Sequence, residues 1–194
     1  TYCEAILEHS FFQRVIAVEP TPGLAETCRK KGLETHEEVI EKLSFEKNAA
    51  DVVANFEVLE HLANPREFVK KAISFLRVGG LFICTCPNGQ SLGSKILEEN
   101  FSIFDHEHVN YFNPHSIAIL LESENMEVLE VTTPGKLDID ILKKYAIEDK
   151  DLFKNDLSLR QLLVEGSEET LEMLQQVLQN ENLSSHMWVI ARKK

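Results

Sequence analysis

The chain is short of positive charge. Twenty lysines and arginines stand against 32 aspartates and glutamates, a formal net charge of −12. A nucleic-acid backbone or an anionic membrane surface repels such a protein, and no dense Lys/Arg cluster offsets the excess locally. Neither partner is expected. Long apolar runs are also missing, so no segment offers the roughly 20 apolar residues of a membrane-spanning helix. The four cysteines are too few, and too apolar in setting, for a disulfide framework. Cys84 and Cys86 share one strand face by period two and are expected to pack in a sheet rather than bind metal. A reducing, cytoplasmic setting is the corresponding expectation. Glycine is scarce at one end, with none of the eight preceding Gly23.

What the chain does contain is organised around Asp51–Asn88. Asp51–Phe56 and Leu81–Cys86 are short, apolar and rich in β-branched residues, as parallel strands covered on both faces read. Between them Asn64 is a helix cap, Pro65 takes the first position and Glu67 lies three residues past the cap. Phe68, Val69, Ala72, Ile73 and Leu76 fall on one face, and Gly79-Gly80 is expected to end the helix. Strand, helix, strand is a βαβ unit, whose ligands sit beyond the carboxyl ends of the strands. Asn55-Phe56-Glu57 and Pro87-Asn88 are those ends.

Upstream, Tyr2–His9 reads as a helix and Val15–Glu19 as a strand closing on an acid and Pro20. Thr21 is expected to cap a helix with Pro22 at its first position. Leu33–Thr35 is a weak strand pattern, and Glu37–Leu43 a short helix or turn. Downstream, Gly89 to about Ile103 reads as a polar loop, and Asn113-Pro114 opens another helix with Asn125 as its left-handed stop. Met126–Thr132 and Met187–Arg192 read as strands. The connector between them carries two helical patterns, about Leu157–Val164 and Glu168–Leu178. Residues 134–185 are therefore expected to form a helical insertion or lid on a domain made of residues 1–133 and 186–194.

Val58-Leu59-Glu60-His61-Leu62 with Asn64-Pro65 resembles the "VLEHL…NP" segment of class I S-adenosylmethionine-dependent methyltransferases. Val78-Gly79-Gly80-Leu81-Phe82 with Pro87-Asn88 resembles that family's "PGG…PN" segment. His106-Glu107-His108 through Tyr111-Phe112-Asn113-Pro114, then Leu120-Leu121 and Glu127-Val128, is similar to the "HxxYF(S/T)P…LL…GFEV" stretch of its small-molecule members. The resemblance runs in register from Thr1 to about Thr132, and Met187–Arg192 fits the last strand. It implies a doubly wound, Rossmann-like α/β fold with a mostly parallel sheet, an antiparallel last strand and a helical insertion before it. Family members open with a strand and a glycine-rich turn; Thr1-Tyr2-Cys3 would align just after that turn. The expectation is a chain lacking that strand and motif, either cut short or reduced in its cofactor site.

The implied cofactor is S-adenosylmethionine. Glu19, followed by Pro20, would hold the ribose, since an acid at a strand's carboxyl end can accept from both ribose hydroxyls. Glu38 and Val39 would lie along adenine, and Asn55, Phe56 and Glu57 would border the methionine portion. Glu60 and His61 are read as holding a turn. His108 is the candidate base because imidazole titrates near neutrality, with Glu107 or Asp105 to orient it. His106, Tyr111 and Asn88 are candidate contacts to the acceptor, and no metal is expected. The reaction implied is methyl transfer to oxygen or carbon of a small polar metabolite, a sugar among them. The rivals are a methyltransferase-fold interaction module without activity and a nicotinamide-dependent Rossmann oxidoreductase. A homodimer is left open.

Overall fold

The computed structural model describes residues 2–9 and 11–194, which divide into two compact units, residues 1–46 and 47–194. The first holds helix α1 (Tyr2–Glu8), strand β1 (Ile16–Val18), helix α2 (Pro22–Lys30) and strand β2 (Glu34–His36). The two strands pair in parallel, Ile16 opposite Glu34 and Val18 opposite His36. Ala25 on α2 is fully buried, and Ala17, Leu33 and Leu43 are buried as well. Thr21 does not cap α2 with its side chain; its own N–H donates to Glu19 Oε1 at 2.8 Å, which ties the turn between β1 and the helix.

The second unit carries a four-stranded sheet in the order β3 (Ala50–Phe56), β4 (Leu76–Pro87), β6 (His186–Lys193), β5 (Met126–Thr132). β3 and β4 are parallel, while β6 runs antiparallel to both β4 and β5 between them. The last strand is therefore interior to the sheet. Its neighbour β4 is well buried, with Phe82, Cys84 and Cys86 at 0% exposure. β3 departs from the expectation of burial on both faces: it lies at the edge of this sheet and is mostly half-buried.

Helix α3 (Pro65–Phe75) forms as its sequence dictates, the Asn64 carboxamide oxygen accepting from Glu67 N–H at 3.2 Å and the Phe68–Phe75 stripe facing the sheet. The glycine pair does not end it. Leu76 is already extended, and the Lys193 ammonium donates to the Ile73 and Leu76 carbonyls at 3.0 and 2.7 Å. A cation satisfying the last free carbonyls is an alternative to a glycine stop. Gly79 and Gly80 instead sit in an irregularity of β4, where two steps along β3 (Ala50 to Val52) match five along β4 (Leu76 to Leu81).

The stretch after β4 is not a plain loop. It contains helix α4 (Leu92–Leu97), capped by Ser91, and a 3-10 turn over Glu98–Asn100. Helix α5 (Pro114–Ser123) follows, with a full capping box between Asn113 and Ser116, and Asn125 takes the left-handed conformation expected of it (φ 62°). Between β5 and β6 lie three helices rather than two: α6 (Asp138–Glu148), α7 (Leu157–Glu165) and α8 (Glu168–Asn180). Their apolar faces share a core of Ile139, Leu142, Phe153, Leu163 and Leu178, which Leu97 and Phe101 from the α4 region complete.

Candidate active site

The candidate residues of the first unit gather at the carboxyl ends of its paired strands. Glu19 follows β1 and its N–H donates to His36 O at 3.0 Å, while Glu38 and Val39 follow β2. Glu38 Oε1 accepts from the Val39 N–H at 3.0 Å, so this carboxylate organises its own turn. Glu19 is half-buried and Pro20 exposed.

In the second unit the sheet directs three elements to one end. β3 closes at Asn55-Phe56-Glu57, β4 at Thr85–Pro87, and antiparallel β6 begins there at His186. Asn55 is 8% exposed and neither its amide nitrogen nor its oxygen has a protein partner. Buried amides are seldom left so, and the deficit calls for an explanation. Glu57 adopts a left-handed backbone (φ 52°), held by its N–H to Thr85 O at 3.1 Å. Its Oε1 accepts from Thr85 Oγ1 at 2.7 Å and lies 3.5 Å from His186 Nδ1. Phe56 faces Trp188 across the strands, ring centroids 6.2 Å apart.

Beside this end a 3-10 turn over Leu59–His61 is clamped by the loop of residues 104–112. The Val109 and Asn110 N–H groups both donate to Glu60 O, at 2.9 and 3.0 Å, and Asn110 Nδ2 donates to Leu62 O at 2.6 Å. The clamp brings His108 to His61, ring centroids 4.7 Å apart. His61 Nδ1 meets Glu107 O at 3.0 Å and His108 Nδ1 meets Ile103 O at 2.8 Å. A carbonyl can only accept, so in each neutral ring Nδ1 carries the proton and Nε2 keeps its lone pair. Asp105 shapes the loop by accepting from the Glu107 and His108 N–H groups at 2.7 and 2.9 Å, and these bonds pull its carboxyl below the usual range.

Glu60 is the least accommodated group. It is 1% exposed, both carboxylate oxygens lack hydrogen-bond partners, and burial raises its pKa, with nearby Glu57 adding to the rise. Burial likewise pushes the Cys84 thiol up to about 12, so it is a packing residue and not a nucleophile.

Several anticipated residues are placed differently. Asn88 is fully buried, its Nδ2 donating to Asn182 O and Ser184 O at 3.1 and 2.9 Å and its Oδ1 accepting from Gln90 N–H. That amide is spent on joining β4 to the segment before β6. The Glu107 carboxylate is exposed and lies 3.9 Å from His106 Nε2; it is the Glu107 backbone carbonyl that meets His61. The His106 side chain is 91% exposed. Tyr111 packs on Phe104 and donates to Asp105 O at 3.3 Å. Sequence reasoning passed over His186 and Thr85, which only the antiparallel pairing of β6 carries to the site. It also treated Glu60 as a turn residue, although the Glu-His pair beside a strand end was a visible signal.

Helices flanking parallel strands, with one antiparallel strand threaded between the last two, define a Rossmann-like α/β fold of the methyltransferase type. The profile described as "Methyltransferase domain" matches residues 1–131, and the chain belongs to this family, the class I S-adenosylmethionine-dependent methyltransferases. The ubiquinone biosynthesis O-methyltransferase of Ruegeria sp. (strain TM1040) is 30% identical over 112 residues, 54% of this chain and 44% of that protein. The chain thus matches under half the length of this relative. Among solved structures, a geranyl diphosphate methyltransferase in complex with S-adenosylmethionine superposes with a TM-score of 0.58 at 17% identity, covering 98% of this chain and 73% of that one. A [4+2]-cyclase does so with a TM-score of 0.59 at 13% identity, covering 97% and 70%. Likeness at such identities speaks for fold alone, and the cyclase shows that this fold is not confined to one chemistry.

Proposed function

We propose that this domain transfers the methyl group of S-adenosylmethionine to oxygen, or alternatively carbon, of a small polar metabolite such as a sugar. The observation that carries the reading is the buried, unpartnered Asn55 amide at the carboxyl end of β3, where a fold of this type takes its ligand. It fits a polar cofactor, and Glu57 and Phe56 beside it would border the same portion. Glu19 would take the ribose with the oxygen not used at Thr21, and Glu38-Val39 the adenine. When bound, the cofactor supplies an electrophilic methyl on sulfur. The chain's part is to align the acceptor with that methyl, which is worth about 7–11 kcal/mol of barrier when the geometry is good, and to handle the acceptor's proton. His108, whose Nε2 lone pair is kept free by Ile103 O, is the group for the second task. The name of the Ruegeria relative favours oxygen over carbon.

Calorimetric titration with S-adenosylhomocysteine tests the cofactor half of the proposal. Saturable binding that Glu19→Ala abolishes is expected. Binding of NAD instead would transfer the case to an oxidoreductase, and silence towards both would leave an interaction module. A panel of hydroxylated metabolites with radiolabelled cofactor tests the acceptor half. Residues 134–185 are read as covering that acceptor.

A further inference from the structure

The Glu60–His61–His108 cluster has the composition and the faults of a metal site. One donor atom from each residue lies within 4.8 Å of the others, and His61 Nε2 stands 3.9 Å from Glu60 Oε1. Both imidazoles donate Nδ1–H to a backbone carbonyl, an arrangement that fixes the tautomer of metal-bound histidines and raises their basicity. The third group is a buried carboxylate neither of whose oxygens has a protein hydrogen-bond partner. An interior carboxylate of this kind is expensive unless it is neutralised or coordinates a cation. The loop clamp described above fixes all three on rigid backbone, and His61, 38% exposed at its side chain, leaves a way in from solvent.

We propose that Glu60, His61 and His108 bind one divalent first-row transition-metal ion, with zinc the probe of choice. Two imidazoles and one carboxylate are nitrogen and oxygen donors suited to zinc or iron(II), and less to magnesium or calcium, which prefer all-oxygen shells. Zinc holds such donors at about 2.0–2.2 Å, which in a tetrahedral shell puts any two of them about 3.3–3.6 Å apart. The widest pair, at up to 4.8 Å, must therefore close by up to about 1.5 Å, a task for side-chain rotation. Three protein ligands leave a position open, as in catalytic rather than structural sites.

The use of that position rests on the methyl-transfer reading; the binding does not. With the ion bound, His108 Nε2 is no longer free to take a proton. An acceptor hydroxyl on the open position would instead be acidified by the metal and lose its proton to water. The alkoxide oxygen would then form a bond to the methyl carbon as the methyl–sulfur bond breaks, and S-adenosylhomocysteine leaves.

The test is zinc uptake by the EDTA-stripped full chain, measured by competition with a chromophoric chelator, alongside melting temperature and circular dichroism. One equivalent of zinc with an accompanying rise in melting temperature is expected. Glu60→Gln keeps shape and volume but removes the charge; it should weaken uptake at least tenfold, and His108→Asn should do the same. His106→Ala, which alters the exposed neighbour, should leave uptake unchanged. No uptake by correctly folded protein overturns the proposal. So does uptake that survives Glu60→Gln and His108→Asn undiminished, whatever His106→Ala does. Titration with S-adenosylhomocysteine in the same samples keeps failure of the metal site distinct from failure of the cofactor reading.

Discussion

At the scale of single residues the dominant fact is the cost of Glu60. Loss of water on burial disfavours the charged form of this carboxylate, and its own backbone N–H offsets that only in part, so the folded-state pKa rises above the unfolded value of about 4.3. In metal-free protein both states are protonated below that value, and Glu60 then costs nothing. As pH rises the unfolded chain ionises first, and stability falls until the pH has passed the raised folded pKa. Glu60→Gln carries no such charge. Its melting temperature should match the wild type near pH 4 and exceed it by a margin that grows towards neutral pH; a margin independent of pH would sink the argument. Zinc should erase the margin in the wild type alone. None of this was legible in Val58–Leu62, where a 3-10 turn between strand and helix has no apolar period to reveal which side chain is inside. The turn's backbone is held by Asn110, some 50 residues away. The side chains of His108 and Glu107 are 16% and 68% exposed, a difference the sequence cannot show because alternation means nothing in an irregular loop.

At the scale of elements the glycines separate what the backbone requires from what it tolerates. A Cβ at Gly80 would sit 2.9 Å from Arg77 O, 3.1 Å from Asp51 O and 3.2 Å from Ala50 O, all backbone atoms that cannot swing away. Gly23, in α2, would meet nothing within 4 Å. Gly80→Ala should therefore destabilise the protein by about 1–3 kcal/mol, as overpacking does. Gly23→Ala should stabilise its helix by roughly 0.4–1 kcal/mol through the unfolded state. Denaturant melts of the two single variants, with opposite signs, check the pair. Local signals read α3, α5, β5 and β6 well, since caps, stripes and β-branched runs lie within each segment; of β4 they found Leu81–Cys86 but gave its first residues, from Leu76, to the end of α3. They misread how α3 ends, because the group that stops it is Lys193, 117 to 120 residues onward. α4 spans six residues, too few to display a period, and α6 opens on Leu137 without a side-chain cap.

At the scale of the larger unit, the question is how residues 134–185 are joined to the sheet. Their core is shared with Leu97 and Phe101, and one buried carboxylate ties the two ends of the segment together. Asp138, 3% exposed, accepts from Ser184 Oγ, from Ser185 N–H at 2.6 Å and from Gln175 Nε2 at 3.0 Å. Gln175 and Gln179 also donate to Gly135 O at 2.9 and 2.7 Å, and Asn88 reaches the far end from β4. Removing the carboxylate takes the acceptor from Ser184 Oγ and Ser185 N–H and one of two from Gln175 Nε2; Ser184 is at 0% exposure, and a buried orphan costs about 1–3 kcal/mol. The apolar cluster among α6, α7 and α8 does not pass through Asp138, so these helices should persist while their attachment loosens. Asp138→Ala is therefore expected to speed amide exchange at 134–138 and 182–186 and to open those stretches to protease, with helical content retained. If residues 134–185 cover the acceptor, the acceptor KM should rise in this variant while affinity for S-adenosylhomocysteine holds. Equal acceleration of exchange throughout β3, β4 and β6 would show that Asp138 supports the whole unit and is no fastener, and would remove the reason to treat the helices as a separable cover.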